Sequence, residues 1–453
     1  MSGAVQIDRF ERGMHERITT MQAPDLADDR FAAFRHRAFA FYFVSRFLST
    51  FGLQIISVAV GWQIYDLTRD PFDLGLVGLI QFLPALVLIL FTGAAADRFG
   101  RRTIMLICEL VIAVAVAALV WFAWRGLTTP LPIFAVLLVI GIARAFFAPA
   151  SQSLAPNLVP ARDLPNAIAW NSTSWQTATI VGPVAGGLLY GLGAMAPYLT
   201  ALGFLLTSIV AISLVPQPSQ RNRGQAQSWQ TLVAGFSYVR NQKIVLGAIS
   251  LDMFAVLLGG AIALMPVFAR DVLDLGPWGL GLLRASPGIG AIGMAIYLAS
   301  RPIRRHAGRS MFIAVGLFGA ATMVFGLSTS LPLSMAALIT MGASDMISVY
   351  VRQSLVQLWT PDELRGRVSA VNMVFIGASN ELGEFRAGVM ASLIGPVAAV
   401  VIGGAGTLAV ALAWSFGFPQ LRRIQSLDKD AEDSRAALEA GLPAAEKTGH
   451  GPA

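Results

Sequence analysis

A chain of 453 residues, 55% of them apolar and only 13% charged, is not a string of ordinary soluble domains, which carry about 25% charged residues. The net charge of +7 does not point to nucleic acid, because its cations lie between apolar runs rather than on one patch. With histidines only at His15, His36, His306 and His450 and one cysteine, Cys108, no metal-ligand spacing, disulfide framework or cofactor site is expected.

A helix crossing a hydrocarbon layer of ~30 Å needs about 20 apolar residues. Twelve runs meet that need: 38–66, 74–96, 103–124, 131–152, 165–191, 197–215, 243–269, 277–300, 310–328, 331–358, 367–391 and 395–418. Residues 1–37 are polar and hold no short apolar core before a small-residue cleavage site, so no signal peptide is expected. The stretch DRFAAFRHRAFAFY (29–42) reads either as an interfacial helix or as a disordered lead-in.

The first two runs carry Arg46, Gln54, Gln63 and Gln81. Glu109 in the third and Arg144 in the fourth lie at similar depths, about 10 Å from one end at ~1.5 Å per residue, which suggests a structural ion pair. The fifth run holds the polar stretch NSTSWQTAT (171–179), with Asn171 and Gln176, and then Gly182, Pro183, Gly186 and Gly187. A Pro- and Gln-rich linker follows the sixth run at 216–230. Asp252 lies in the seventh run and Asp345 in the tenth, with no basic residue within a helical turn of either. The eighth contains GIGAIG (288–293), which spells a dinucleotide fingerprint but follows no strand, so close helix packing is expected. The eleventh carries Asn372, Asn380, Glu381 and Glu384; the two glutamates, three apart, share a helix face.

Ionisable groups at membrane depth are costly and mark pathways or partners. An acid among Asp252, Asp345, Glu381 and Glu384 is therefore a candidate for carrying a proton as water access alternates, the other reading being that these acids pair with Arg352 or Arg386. The amides Gln54, Gln63, Gln81, Asn171, Gln176, Asn372 and Asn380, with Arg46, are candidates for lining a wet cavity.

Numbering the loops alternately, fourteen Lys and Arg residues between Arg98 and Arg367 fall on one side and three, Arg69, Arg125 and Arg270, on the other. That asymmetry predicts the first side, with both termini, in the cytoplasm. Sliding the chain by 201 positions lays QSL-x5-P at 152–160 on the same pattern at 353–361, Asn171 on Asn372, Gly182 on Gly383 and Gly187 on Gly388. Such self-similarity predicts two related halves, the architecture of many secondary transporters. The expected organisation is an N-terminal segment 1–37, a six-helix bundle 38–215, a linker 216–242, a second bundle 243–418 and a tail 419–453.

GAAADRFGRR (93–102) must be a short loop between two long helices. Its arginines suit the headgroup layer, while Asp97 can bond an arginine or face a helix N-terminus. Gly93-x3-Asp97-Arg98-x-Gly100-Arg101-Arg102 resembles the signature loop between helices 2 and 3 of the major facilitator superfamily. A weaker copy, GRS, stands at 308–310. Ala178-x3-Gly182-Pro183-x2-Gly186-Gly187 is similar to that superfamily's helix-5 antiporter motif, with alanine at the usual first glycine. ARAFFAPASQSLAPNLVP (143–160) and LWTPDELRGRV (358–368) resemble its twelve-helix drug and siderophore exporters.

The resemblance implies an all-α integral membrane protein of the major facilitator fold, with 12 transmembrane helices in two pseudo-symmetric six-helix bundles. It implies a gating role for the Asp97 loop and proton-coupled efflux, by alternating access, of a small amphiphilic solute. The partners would be that solute, protons and the lipid bilayer of the inner membrane, for a monomer. An importer or a lysophospholipid flippase on the same fold, or a membrane sensor without transport, are the other readings. An enzyme is not expected, since no nucleophile–base set stands near either interface.

Overall fold

The computed structural model describes residues 30–217, 229–303 and 305–427. Within its helices the side chains of 89–91, 93–98, 229–234, 362 and 363 fall outside that description. The described residues form helices and no strand. In chain order the long helices are α1 (Arg37–Thr68), α2 (Pro71–Arg98), α3 (Arg101–Arg125), α4 (Leu131–Leu154), α5 (Leu164–Gly191) and α6 (Met195–Ser213). Then come α7 (Lys243–Val272), α8 (Pro277–Ser300), α9 (Ala307–Leu327), α10 (Leu331–Leu358), α11 (Asp362–Ile394) and α12 (Pro396–Gly417). Ten are apolar enough to cross a membrane by length and composition. The other two, α5 and α11, are as long but carry the polar stretch 171–179 and the Asn–Glu cluster. A membrane helix that gives up apolarity must hide its polar face in protein or in a cavity.

Helices α1–α6 pack on one another, as do α7–α12, and the halves meet along α2–α11 and α5–α8. A short helix, Trp229–Asn241, precedes α7 and packs on α11, where Tyr238 donates to the Trp359 carbonyl at 2.7 Å.

The repeat is visible at the two seams between the halves. Pro71-x3-Gly75 opens α2 and Pro277-x3-Gly281 opens α8. A Cβ on Gly388 would stand 2.8 Å from the Cα of Gly75, and one on Gly187 would stand 3.2 Å from the Cα of Gly281. Both seams are thus backbone against backbone, an approach that only residues without side chains permit.

Two faces can be distinguished. The first holds the described chain ends together with Arg101, Arg102 and Arg367; the second holds Asp66, Asp70 and Asp271. They are called here the basic and the acidic face.

Helix α7 is broken. Its first part ends at Gly259; Gly260 and Ala261 leave the helix, a tight turn follows at Ile262–Leu264, and a wide turn at Phe268–Val272. The carbonyls freed at such an end need donors. Arg386 of α11 supplies them, bonding the carbonyls of Leu257, at 2.8 Å, and Leu258. A cation there also suits the negative end of the helix dipole.

The segment before α1 does not stand apart from the bundle. Residues Ala32–Arg35 form one tight turn. Phe31 stacks on Trp170 of α5 with centroids 5.3 Å apart, and Phe34 meets the same ring edge-on at 5.2 Å. Trp170 and Asn166 donate to the Arg30 carbonyl at 2.8 and 3.1 Å. The His36 ring nitrogen lies 2.7 Å from Asp163, and that hydrogen bond holds the Asp163 carboxyl below the usual range. Of the stretch 29–42, residues 30–42 are therefore neither a separate interfacial helix nor loose chain; 1–29 and 428–453 lie outside the described residues.

Candidate functional site

Between the halves lies a cavity of about 980 Å³, part of it continuous with open space, lined by α1, α2, α4, the break of α7, α8 and α11. Its charges come from both halves: Arg144 from the first, Arg284, Glu381 and Glu384 from the second. Gly78 of α2 makes room for both acids, since a Cβ there would lie 2.7 Å from Oε2 of Glu381 and 3.4 Å from Oε2 of Glu384. Arg144 donates to Gln81 at 3.2 Å and has Glu381 as its electrostatic neighbour. Arg284 donates to Ser57 at 2.6 Å and has Glu384 as its neighbour, while its Nε is buried without a hydrogen bond among the described residues. Neither guanidinium closes to an ion pair with a described glutamate. Each cation therefore faces an acid across the cavity while a neutral residue holds it in place.

A second cavity, of about 560 Å³, adjoins the first and shares Ile262 and Glu384 with it. It runs into the second half among α7, α8, α9, α10 and α11, where Asp345 and Asn380 line it.

At the acidic-face end, polar links join α1 to the end of α7. Tyr65 donates to Asp271, Arg270 pairs with Asp66, and Arg69 stands 3.6 Å from Asp271. Arg270 also lies over the Trp62 ring, 5.4 Å from its centroid. The described polar links between the halves lie here or at the cavity.

Of the residues proposed from sequence, Gln54, Gln81, Arg144, Glu381 and Glu384 line the first cavity, and Asp345, Asn380 and Glu384 the second. Others go elsewhere. Glu109 and Arg144 do not pair among the described residues: Glu109 accepts from Ser45 and Ser208 at 3.1 and 2.7 Å, inside the first half. Similar depth on two helices does not give the same rotation about their axes. Asp252 has a cation after all, Arg352 of α10, in a buried ion pair with 6% and 3% of the side chains exposed. Gln63 accepts from Tyr198 at 2.5 Å, and Arg46 lies over the Phe147 ring. Neither lines a described cavity, nor do Asn171, Gln176 and Asn372. Asn171 and Asn372, equivalent under the 201-residue shift, each bury an amide oxygen without a partner among the described residues.

The helix-5 glycines divide. Gly182 and Gly186 pack on Gln54 and Ile55 of α1 within the first half. Only Gly187, with the Pro183 carbonyl, meets the other half, at Pro277 and Gly281. In GIGAIG, Gly288 abuts Ile180 and Gly290 abuts Ile339, which is the expected helix packing.

The stretch 93–102 is not a loop throughout: α2 continues to Arg98 and α3 begins at Arg101, leaving Phe99 and Gly100 between them, and the side chains of Gly93, Asp97 and Arg98 lie outside the described residues. Gly100 has φ +75°, a left-handed value that a residue with a Cβ tolerates poorly. Arg101 donates to the Ser153 carbonyl at 2.8 Å, and Arg102 to those of Ile212 and Ser213. These arginines thus tie α3 to α4 and α6 within one half.

Sequence reasoning missed Arg284 and Ser57. A lone arginine in the middle of an apolar run of 277–300 was the available signal for the first; a single serine in α1 gave none for the second.

A family model described as "transmembrane secretion effector" matches residues 29–450. The enterobactin exporter EntS of Citrobacter koseri is 25% identical over 404 residues, covering 86% of this chain and 94% of that protein. The protein of the same name from Shigella boydii is 25% identical over 410 residues with the same coverage. Among solved structures, a bacterial homolog of the human lysosomal transporter Spinster, inward-facing and unoccupied, superposes with a TM-score of 0.67 at 13% identity, over 85% of this chain and 96% of that one. A mutant of the nucleoside transporter NupG gives 0.67 at 15% identity, over 84% and 100%. With its helical bundle, paired halves and the family match over nearly its whole length, the chain belongs to the transmembrane secretion effector family of major facilitator proteins and is a membrane transporter rather than an enzyme.

Proposed function

We propose that this transporter exports a small amphiphilic solute in exchange for protons, by alternating access, as a monomer in the inner membrane. The basic face, with both termini, lies in the cytoplasm in this reading, as the distribution of Lys and Arg favours. The relatives are named as exporters, which favours the outward direction. The observation that carries the proposal is the placing of Glu381 and Glu384 on the surface where the halves meet, each acid facing an arginine, Arg144 of one half or Arg284 of the other. When the halves rock, those distances and the water reaching the acids change together. One carboxylate gains a proton from one side and gives it up to the other. Each charge moved inward across the whole membrane draws about 2.3 kcal/mol from a potential of 100 mV. The end of α2 with Asp97 and the acidic-face cluster of Tyr65, Asp66, Arg270 and Asp271 serve as the two gates.

Inside-out vesicles carrying an imposed proton gradient test this. Addition of a transported member of an amphiphile panel releases protons from the vesicles, read by a pH-sensitive dye. Glu381→Gln and Glu384→Gln, singly or together, are expected to abolish that release. Solute flux that ignores the gradient overturns the exchange mechanism.

A further inference from the structure

Glu109 takes no part in the proposed exchange. It sits in α3 with none of its surface exposed, and Ser45 and Ser49 of α1 and Ser208 of α6 face it, each at most 1% exposed. Ser45 and Ser49, four apart, share one face of α1. None of these residues lines a described cavity.

The hydrogen bonds in this nest are unevenly spread. Oε1 of Glu109 accepts from Ser45 at 3.1 Å and from Ser208 at 2.7 Å, and the Ser208 hydroxyl also lies 2.9 Å from the carbonyl and the hydroxyl of Ser45. Oε2 of Glu109 and the hydroxyl of Ser49 are buried without a partner among the described residues. A buried carboxylate that lacks a positive partner is costly, and a neutral water molecule does not remove that cost. Arg46 is an electrostatic neighbour of Glu109, but its guanidinium lies over the Phe147 ring, 5.6 Å from the centroid, and closes to no ion pair with it.

We propose that Glu109, Ser45, Ser49 and Ser208 bind a dehydrated sodium ion, which ties α1, α3 and α6 together within the first half. Hard cations take oxygen ligands of this kind. One carboxylate balances one positive charge, so a monovalent ion leaves the nest neutral, whereas a divalent ion buries a charge in excess. The short spacing of the oxygens favours sodium over the larger potassium. The ion gives a partner to both atoms that the protein itself leaves idle. The site stands apart from both cavities and does not depend on proton exchange.

The test is thermal unfolding of the purified full-length protein in detergent at about pH 8, where carboxylates are ordinarily ionised. The salts are sodium, potassium and N-methylglucamine chloride at equal ionic strength, and binding of radiolabelled sodium is measured alongside. Sodium should bind saturably and raise the unfolding temperature progressively with its concentration, as a ligand of the folded state does. Potassium should do less and N-methylglucamine nothing. Glu109→Gln should abolish both responses. Ser49→Ala removes one oxygen and no existing hydrogen bond, so it serves if Glu109→Gln does not fold. It should weaken sodium binding about tenfold or more, as loss of a supporting group already does at metal sites. Equal unfolding temperatures in the three salts overturn the proposal; a proton held on Glu109, or Arg46 swung onto it, gives that result. A sodium response undiminished in either folded variant overturns it too. Neither readout involves flux, so failure here leaves the exchange mechanism standing, and flux that ignores a proton gradient leaves the sodium site standing.

Discussion

In the first half, Tyr42 of α1 meets the hydroxyl and carbonyl of Ser151 of α4 at 3.1 and 3.0 Å. At the corresponding place in the second half, 201 residues on from Ser151, Arg352 of α10 pairs with Asp252 of α7. The contrast continues along α4 and α10 and into α5 and α11. Arg144 is answered by Asp345, Ile180 by Glu381 and Pro183 by Glu384. The first half keeps one described buried acid, Glu109, and fixes it with Ser45 and Ser208. Duplication supplied one frame twice, and the described acids that line the cavities, Asp345, Glu381 and Glu384, all belong to one copy. Where the halves touch, by contrast, they remain alike, with glycine against glycine at both seams.

The contrast can be broken first at the ion pair. Arg352→Met leaves Asp252 buried without its cation and should cost about 3–5 kcal/mol, read as a large fall in thermal unfolding temperature in detergent. A small effect would mean that the second half does not depend on its charges for stability. The likeness of the seams comes next. Gly187→Ala and Gly388→Ala each force a methyl into a backbone contact and should each cost about 1–3 kcal/mol. Both should slow transport, and measurements that differ sharply between the two would show that the seams are not equivalent. The smallest effect belongs to the neutral pair: Tyr42→Phe should cost about 1 kcal/mol. If its unfolding temperature fell as far as that of Arg352→Met, the division between scaffold and charged half would be lost.

Much of this was legible in the sequence. Runs of membrane length and the 201-residue shift led to the bundle and its duplication, and the shift aligned Gly187 with Gly388 without marking the second as a seam. Local rules carry that information, because span length and helix approach depend on near neighbours. Glu381 and Glu384 were also readable, since their spacing fixes a shared face whatever the rest of the chain does.

Pairings across helices were legible only in part. Arg352 was one of two cations offered to the four acids, and it takes Asp252, 100 positions away, whereas Glu109 turns toward α1 and α6 rather than toward Arg144. Depth can be counted from a helix end, but rotation about the axis depends on packing with neighbours far along the chain. The polar stretch of α5 misled in another way. Thr173 and Thr179 bond carbonyls one turn back, at 3.0 and 2.9 Å, which satisfies them without any cavity.

The seams lie near the acidic-face ends of α11 and α5, and that position gives leverage. Asp362, where α11 begins, is 26 residues from Gly388, or ~39 Å along the helix at ~1.5 Å per residue. A tilt of ~10° pivoting at Gly388 carries that far end through ~7 Å by the same geometry. At Gly388 itself the contact is bare main chain, with the rings of Phe72 and Phe385 beside it at 6.0 Å between centroids. Under the proposed alternating access, a small turn at that contact would be a large displacement at the other end of the helix.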